Sequence, residues 1–364
     1  MWGQRLSRCG TRWGECFVRL QLICVRAERW FEGLRLPAEI NLPDAGGLIM
    51  ANSDMFLVVR LGTRGSMLAR LQSQRVADEL EARHPGLHVE LCIIKTTGDQ
   101  IVDRPLREVG GKGLFTKELE RALLDNDVDL AVHSFKDVPV TMPLVEQEDL
   151  VIAAVPERED PRDVMVCIAV NRIADLPQGA KVGTGSLRRR CQLLALRKDL
   201  DVEGIRGNID TRLRKLKGGD FDAVVLAMAG LKRSGLFDAA IMRAIPPDEM
   251  LPAAGQGALA LQCRRSDKRM QDLLGAVHHE PSAVCVRLER EIVRRLEGDC
   301  HSPIAALATI KGQSVELRAA VGKRGGELPI LRAKGESELK NANAAVDRVI
   351  WVLTEQNVRS HLHG

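Results

Sequence analysis

Tyrosine is missing from this 364-residue sequence, and aromatic residues as a whole make up only 3% of it. Proteins that hold single-stranded nucleic acid stack its bases on aromatic side chains, so no such platform is expected. An excess of one charge is also lacking, because 53 Lys and Arg nearly balance 49 Asp and Glu for a net charge of +4. A nucleic-acid-binding protein usually carries a stronger basic excess. Together these absences argue against nucleic acid as a partner.

Long apolar runs and paired cysteine motifs are absent as well. No run is long enough to span a bilayer, so no membrane partner is expected. The nine cysteines are scattered and none forms a Cys-x-x-Cys pair, which argues against a zinc site or a disulfide framework. We therefore expect no bound metal and a cytoplasmic protein in a reducing compartment.

The N-terminal residues 1–54 differ from the rest of the chain. The first fifty hold three of the four tryptophans and seven arginines, without a clear helix or strand pattern. Arginine is typical of a transit peptide, but serine is rare here and Glu15, Glu28 and Glu32 are present. We interpret residues 1–54 as a disordered extension, with organellar targeting left open, and expect the folded part to begin near Met55.

From Met55 onward, short apolar strands alternate with amphipathic helices, which is typical of open α/β sheets. Two segments, 156–161 and 251–257, have the charge, proline or glycine content of crossovers between domains. Two blocks joined by two crossovers predict a hinged pair of domains with a cleft between them. The predicted boundaries are 55–155 with 255–277 for domain 1, 156–254 for domain 2, and 278–364 for a small α+β domain 3 with strands at 304–310, 315–321 and 328–331.

Residues 129–137 run from an apolar strand into a cluster of polar side chains. The ends of strands in open α/β sheets are where ligands usually bind. If extended geometry continued to the end of the segment, His133 and Asp137 would share one side, and Ser134 and Lys136 the other. Taken alone, an aspartate before Val-Pro, as at Asp137, is more often a turn-forming residue than a catalytic carboxylate.

Arginines are concentrated in turns between strands and helices. A helix N-terminus attracts anions, so arginines placed there are best explained by an anionic ligand. Their planar fork matches carboxylate or phosphate groups, although any single one could be a solvated surface charge. No phosphate-binding P-loop motif is present. Six arginines carry the hypothesis that several anionic groups are bound: Arg64, Arg188, Arg189, Arg206, Arg212 and Arg233.

Cys300 and Gln72 are two further candidates with open interpretations. Cys300 lies in a loop beyond a helix, unlike Cys191 and Cys285, which lie on apolar helix faces. A loop thiol can act as a nucleophile or an attachment point, or it can be an ordinary loop cysteine. Gln72 interrupts an apolar helix face and is either a satisfied core amide or a ligand contact.

At these residues the chain resembles the hydroxymethylbilane synthase (porphobilinogen deaminase) family. The resemblance extends from Val58 to the C-terminal helix, and nine motifs occur in the family's order. These motifs are Gly62-Thr-Arg-Gly-Ser66, Gly111-Lys-Gly-Leu-Phe115, Val132-His-Ser-Phe-Lys-Asp-Val-Pro139, Glu157-Arg-Glu-Asp-Pro-Arg-Asp163, Ser186-Leu-Arg-Arg189, Arg206-Gly-Asn208, Ala229-Gly-Leu-Lys-Arg233, Leu251-Pro-Ala-Ala-Gly-Gln-Gly257 and Leu296-Glu-Gly-Asp-Cys300.

The resemblance implies two type-II periplasmic-binding-protein-like domains with a cleft between them, plus a small C-terminal α+β domain. It also implies a monomeric transferase that joins four porphobilinogen molecules, with release of ammonia, onto a dipyrromethane cofactor. The cofactor would be held by a thioether to Cys300, and water would then free hydroxymethylbilane. One departure is Gly185, which stands where the family has a serine hydroxyl.

The resemblance also assigns roles to individual residues. Asp137 corresponds to the family's catalytic aspartate, which would protonate the leaving amine, stabilise the cation left behind and accept the proton lost from the attacked carbon. The implied cofactor contacts, besides Cys300, are Lys112, Ser134, Lys136, Thr184, Ser186, Arg188, Arg189 and Arg206. The implied substrate contacts are Arg64, Ser66, Gln72, Arg212, Arg233 and Gln256.

An alternative function uses the same cleft without catalysis. A two-domain carboxylate-binding protein would need the same turn arginines in the same places. That alternative gives neither Cys300 nor the third domain a purpose, so we favour the enzyme.

Overall fold

The computed structural model of the chain describes residues 57–100, 113–140, 149–299 and 302–363. The predicted N-terminal extension lies outside the described residues, and so do Lys112 and Cys300. The described part contains two five-stranded sheets and one three-stranded sheet. No helix in these ranges is both long and apolar enough to cross a bilayer.

The first sheet mixes parallel and antiparallel strands in the order β2-β1-β3-β10-β4. Its strands are β1 (Leu57–Arg64), β2 (Leu87–Ile94), β3 (Leu130–Ser134), β4 (Leu150–Ala154) and β10 (Leu259–Arg264). Its helices are α1 (Met67–Arg83), α2 (Thr97–Gln100), α3 (Lys117–Leu124) and α7 (Lys268–Gly275). Strand β10 runs antiparallel to β3 and β4. The chain therefore leaves this sheet after β4 and returns much later to complete it.

The second sheet repeats that topology in the order β7-β6-β8-β5-β9. Its strands are β5 (Asp163–Val166), β6 (Lys181–Gly183), β7 (Asp201–Glu203), β8 (Ala223–Ala227) and β9 (Met242–Ala244). Its helices are α4 (Leu187–Leu196), α5 (Ile209–Lys217) and α6 (Met228–Arg233), and a 3-10 turn covers Ile173–Asp175. Here the antiparallel strand is β5, the first one after the crossover. Buried apolar clusters lie on both faces of the sheet, which makes its strands almost continuously apolar.

The two crossovers between these sheets touch each other. The N–H of Glu159 in the first crossover donates to the carbonyl of Gly257 in the second, at 3.2 Å. Gly257 has φ +88°, and a Cβ there would lie 2.3 Å from the Glu159 carbonyl oxygen. Only glycine allows both the backbone conformation and the close approach.

The third sheet is antiparallel, with β12 between β11 and β13. Its strands are β11 (Ile304–Lys311), β12 (Ser314–Val321) and β13 (Leu331–Glu338), and a 3-10 turn covers Leu339–Asn341. The helices are α8 (Glu280–Arg295), α9 (Asn343–Glu355) and α10 (Val358–His363). The predicted third strand at 328–331 was wrong, since β13 begins only at Leu331. Its sequence is mostly polar because β13 is an edge strand that buries only small residues, Ala333 and Gly335, against α9.

The predicted fold class is confirmed by this topology. Two α/β units share one strand order, each with an antiparallel strand next to a crossover, and a small α+β unit follows them. An open sheet of this kind presents its strand ends at a cleft, which is where ligands bind in such folds.

Candidate active site

A cavity of about 280 Å³ lies in the cleft between the two large sheets. Its walls come from the ends of β1, β3 and β8, from α1, α4 and α6, from the start of α5 and from the second crossover. The structure brings ten of the predicted site residues together on these walls: Arg64, Ser66, Gln72, Ser134, Lys136, Asp137, Arg189, Arg212, Arg233 and Gln256. These residues come from six separate segments, so no local pattern could have shown that they meet.

Asp137 belongs to a short 3-10 turn that follows strand β3. The strand ends at Ser134, and the turn covers Phe135–Asp137. The expected alternation of sides past Ser134 was therefore wrong, because the turn lets Ser134, Lys136 and Asp137 line the same cavity. His133 instead lies in the domain core and bonds to Gln262 at 2.8 Å. Burial there lowers the pKa of His133 to about 4, so the ring is neutral at physiological pH.

A second cavity of about 240 Å³ adjoins the first one and shares Lys136 with it. Besides Lys136, three predicted cofactor contacts line this second cavity, namely Ser186, Arg188 and Arg206. Asp299 and Ser302 of domain 3 also line it. These two residues flank positions 300–301, which lie outside the described part, so the predicted attachment point Cys300 is bracketed by residues of this cavity.

Lys136 is a half-buried cation at the junction of the two cavities. Loss of hydration is the largest influence and lowers the pKa of its ammonium, while the neighbouring carboxylate of Asp137 raises it. The charges of Arg188 and Arg189 lower that pKa further. An anionic ligand in either cavity would offset the repulsion between these cations, because it would bring a negative charge close to them.

Asp163, which is fully buried at the start of β5, was not among the predicted site residues. Its Oδ2 accepts a hydrogen bond from Nη1 of Arg188 at 2.7 Å, and its Oδ1 accepts two from Arg189. Burial alone would raise the pKa of Asp163, but the charges and hydrogen bonds of the two arginines outweigh it and hold that pKa well below its usual range. The sequence did offer one signal for this residue, because it is a carboxylate at the start of a strand directly after a crossover.

The side chains of Arg188 and Arg189 are therefore already bonded within the protein. They are 4% and 6% exposed, and they also donate to the carbonyls of Leu251 and Val225 respectively. One carboxylate between two guanidinium groups leaves a net charge of +1, held rigidly at the boundary of the two cavities. Such a fixed cation attracts anions without the entropy cost of ordering a flexible side chain.

Arg212 and Arg233 are two half-buried cations that line the first cavity. Burial is the main reason that the pKa of Arg212 falls to about 10, and the charges of Arg189 and Arg206 lower it further. Burial likewise lowers the pKa of Arg233 to about 10. Both still bond to the protein, through Nε to the Gly207 carbonyl and through Nη2 to the Gly257 carbonyl. Both remain charged at neutral pH.

Gln256 lines the first cavity, and its amide is held in one orientation. Its Nε2 donates to the carbonyl of Pro161 at 2.7 Å and to Oδ1 of Asp163 at 2.8 Å. Because both contacts need a donor, the amide cannot turn over without losing them. The Oε1 atom is buried and has no hydrogen-bond partner among the described residues.

The remaining predicted contacts have structural roles that the sequence did not reveal. Ser66 is the N-cap of α1, and its Oγ accepts from the N–H of Ala69 at 3.3 Å. The hydroxyl of Ser134 donates to Oε1 of Gln72 at 3.3 Å. Thr184 lines neither cavity; it is buried, and its Oγ1 accepts from the N–H of Ser186. A cofactor contact of Thr184 remains a prediction.

Comparisons with known proteins match two models from one family. Residues 59–272 match the porphobilinogen deaminase dipyromethane cofactor binding domain, and residues 283–351 match the porphobilinogen deaminase C-terminal domain. A curated porphobilinogen deaminase from Syntrophobacter fumaroxidans is 50% identical over 270 residues, which cover 74% of this chain and 86% of the relative.

The solved structures that match part of this chain are more distant in sequence. The periplasmic VFT2 domain of BvgS from Bordetella pertussis is 17% identical, with a TM-score of 0.35 over 60% of this chain and 86% of that chain. The probable amino-acid ABC transporter extracellular-binding protein YtmK from Bacillus subtilis is 11% identical, with a TM-score of 0.36 over 61% of this chain and 90% of that one.

Proposed function

The chain belongs to the porphobilinogen deaminase family, and we propose that its two adjoining cavities hold the substrate and the attached cofactor of that enzyme. The enzyme condenses four porphobilinogen molecules, with release of ammonia, and frees hydroxymethylbilane by hydrolysis, a step of tetrapyrrole biosynthesis. The bound dipyrromethane supplies the pyrrole carbon to which the first substrate is joined. The family match does not favour the non-catalytic carboxylate-binding alternative.

One observation carries the assignment of the cavities. Lys136 lines both of them, and the adjacent Asp137 opens into the first cavity, while residues on both sides of Cys300 line the second. A group attached at position 300 would thus start in the second cavity and extend toward Asp137. We assign substrate to the first cavity and cofactor to the second on this basis.

The donor set of the second cavity fits a dipyrromethane. That group carries an acetate and a propionate on each ring, so it needs several fixed cations and hydroxyl donors. Arg188, Arg206, Lys136 and the hydroxyl of Ser186 supply this chemistry around one cavity. Lys112 and Cys300 complete the proposed set by the family resemblance.

In the first cavity, Asp137 is the proposed catalytic residue. A carboxylate there can accept a hydrogen bond from the pyrrole N–H of porphobilinogen and favour the positive charge that develops as the amine leaves. It can then take up the proton released from the attacked carbon. Arg64, Arg212 and Arg233 line the same cavity and would face the side-chain carboxylates of the substrate.

Domain limits, oligomeric state and location also belong to the proposal. The proposed limits are 55–155 with 255–277, 156–254, and 278–364. Free thiols at Cys92, Cys167, Cys191, Cys263 and Cys285 are what a reducing compartment such as the cytoplasm maintains. We propose that the enzyme acts there as a monomer.

Intact-mass measurement tests the attachment of the cofactor. Protein purified from a host that makes tetrapyrroles should be heavier than its sequence by one dipyrromethane. Cys300→Ser should remove both the added mass and the activity, whereas the control Cys92→Ser, at a half-buried thiol that lines neither cavity, should keep both. An active Cys300→Ser protein, or a wild-type protein of unmodified mass, would refute the assignment.

A further inference from the structure

Arg290 of domain 3 contacts the turn that carries Lys136 and Asp137. It lies on α8, and its Nη1 donates to the carbonyls of Val138 at 2.6 Å and of Phe135 at 3.4 Å. Its Nη2 donates to the carbonyl of Pro139 at 2.6 Å. One guanidinium thus binds three carbonyls within five consecutive residues, and Asp137 lies in the middle of them.

Ring stacking and apolar packing add to this contact. The guanidinium of Arg290 lies 4.6 Å from the centre of the Phe135 ring. One helical turn earlier, Val286 is fully buried and packs in the same cluster as Phe135 and Val138. Burial lowers the pKa of Arg290 to about 10, so it remains a cation at neutral pH and its hydrogen bonds are charge-assisted.

The opposite side of the turn is closed by the second crossover. The N–H of Phe135 donates to the carbonyl of Ala258 at 3.0 Å. A Cβ at Gly255 would already be in contact with the backbone nitrogen of Lys136, at 3.4 Å. The turn is therefore held between the crossover and Arg290, and its carbonyls point to domain 3 while Lys136 and Asp137 line the cavities.

We propose that Arg290 is a positioning residue that holds the Asp137 carboxylate in register with the domain that carries the attachment loop. The inference rests on the proposed role of Asp137. The helix that bears Arg290 ends at Arg295, just before the loop that contains Cys300, and Arg290 itself lines the second cavity. One rigid helix thus connects the attachment loop to the catalytic turn.

Arginine suits this task better than lysine. Each of its two terminal nitrogens donates to a different carbonyl at 2.6 Å, one to that of Val138 and the other to that of Pro139. A lysine has a single ammonium nitrogen, which would have to serve both carbonyls. Among the described residues its contacts are carbonyls and an aromatic ring rather than a carboxylate. This arrangement differs from a surface ion pair, since exposed ion pairs contribute little to stability.

Steady-state kinetics of Arg290→Met and Arg290→Lys test the proposal, normalised to cofactor-loaded protein by intact mass. We expect kcat of Arg290→Met to fall on the order of 10- to 100-fold, since small displacements of a reacting group are costly. KM should stay within about threefold of wild type, because the substrate-binding arginines are untouched. Arg290→Lys should recover part of the loss. The matched control is Arg294→Gln, one turn along the same helix, which is 57% exposed and pairs with Glu291.

Three results would overturn the inference. They are an unchanged kcat for Arg290→Met, a rise in KM alone, or a loss in Arg290→Lys as large as that in Arg290→Met. Should Arg290→Met fail to fold, Arg290→Lys alone must show the lowered kcat with a nearly constant KM. Asp137→Asn is measured in the same assay. If it is active, the proposed role of Asp137 is wrong. If Asp137→Asn is inactive while Arg290→Met is fully active, only the proposed role of Arg290 is wrong.

Discussion

Asp163 and Arg189 form a buried ion pair in which Oδ1 of the carboxylate accepts hydrogen bonds from Nε at 3.1 Å and from Nη2 at 2.8 Å. The second oxygen of Asp163 binds Arg188, and Gln256 donates to the first one. A single carboxylate therefore orients two arginines and one amide that line the two cavities. It also connects the first strand of the second sheet to the second crossover.

Asp163→Asn should destabilise the protein strongly. Removing one partner of a buried ion pair typically costs about 3–5 kcal/mol, because the other charge is left buried without compensation. Here the guanidinium groups of Arg188 and Arg189 lose their counter-charge, and the NH₂ group of the asparagine would face their N–H donors. Urea unfolding checks this. The control is Asp175→Asn, which breaks the exposed pair with Arg172 and should leave the free energy of unfolding nearly unchanged, because water screens such a pair. Equal losses in the two variants would contradict the prediction.

The same ion pair should make stability depend on acidity. The folded-state pKa of Asp163 lies below its ordinary value of 3.8, so its contribution is fully present above that value and is lost as pH falls toward the folded-state pKa. The difference in unfolding free energy between wild type and Asp163→Asn should thus be constant above about pH 5 and shrink below pH 3.8. Unfolding curves at several pH values measure it, and a difference that grows on acidification would disprove the argument.

Asp137→Asn should fold normally and bind substrate but turn over slowly. The amide keeps the size of the side chain but can neither take up a proton nor stabilise positive charge, and general acid–base groups contribute roughly 10²- to 10⁴-fold. Single-turnover kinetics with porphobilinogen provide the measurement. Asp125→Asn, at an exposed carboxylate just beyond α3, is the control and should behave like wild type. Near-normal turnover of Asp137→Asn would remove this residue from the mechanism.

Arg212→Gln should weaken substrate binding without reducing stability. Burial and the nearby charges of Arg189 and Arg206 lower the pKa of Arg212, which means that its charge is disfavoured in the ligand-free protein. Losing a charge-assisted hydrogen bond to a carboxylate costs about 1.5–3 kcal/mol, so KM should rise by roughly tenfold or more. Arg214→Gln, on the same helix and 75% exposed, is the matched control. A destabilised variant with an unchanged KM would point to a structural role instead.

Local patterns predicted two strands of the third sheet well. The predicted strands at 304–310 and 315–321 are β11 (Ile304–Lys311) and β12 (Ser314–Val321), each differing from the prediction by one residue at one end. The bounds of strand β13 were predicted wrongly, because its burial depends on small residues facing α9 and not on an apolar run. The alternation past Ser134 also failed, since a 3-10 turn replaces extended geometry once Phe135 packs against domain 3.

The sequence by itself determined the chemistry that the chain can perform. Turn arginines, a strand-end aspartate and a loop cysteine are local features, and their order along the chain specifies the family. Only the tertiary structure decided which groups hold the machinery in place. Asp163 lies 25 positions from Arg188, and Arg290 lies 152 positions from the carbonyl of Val138 that it binds. Contacts over such distances follow from how separate domains pack, and no local period or propensity encodes them.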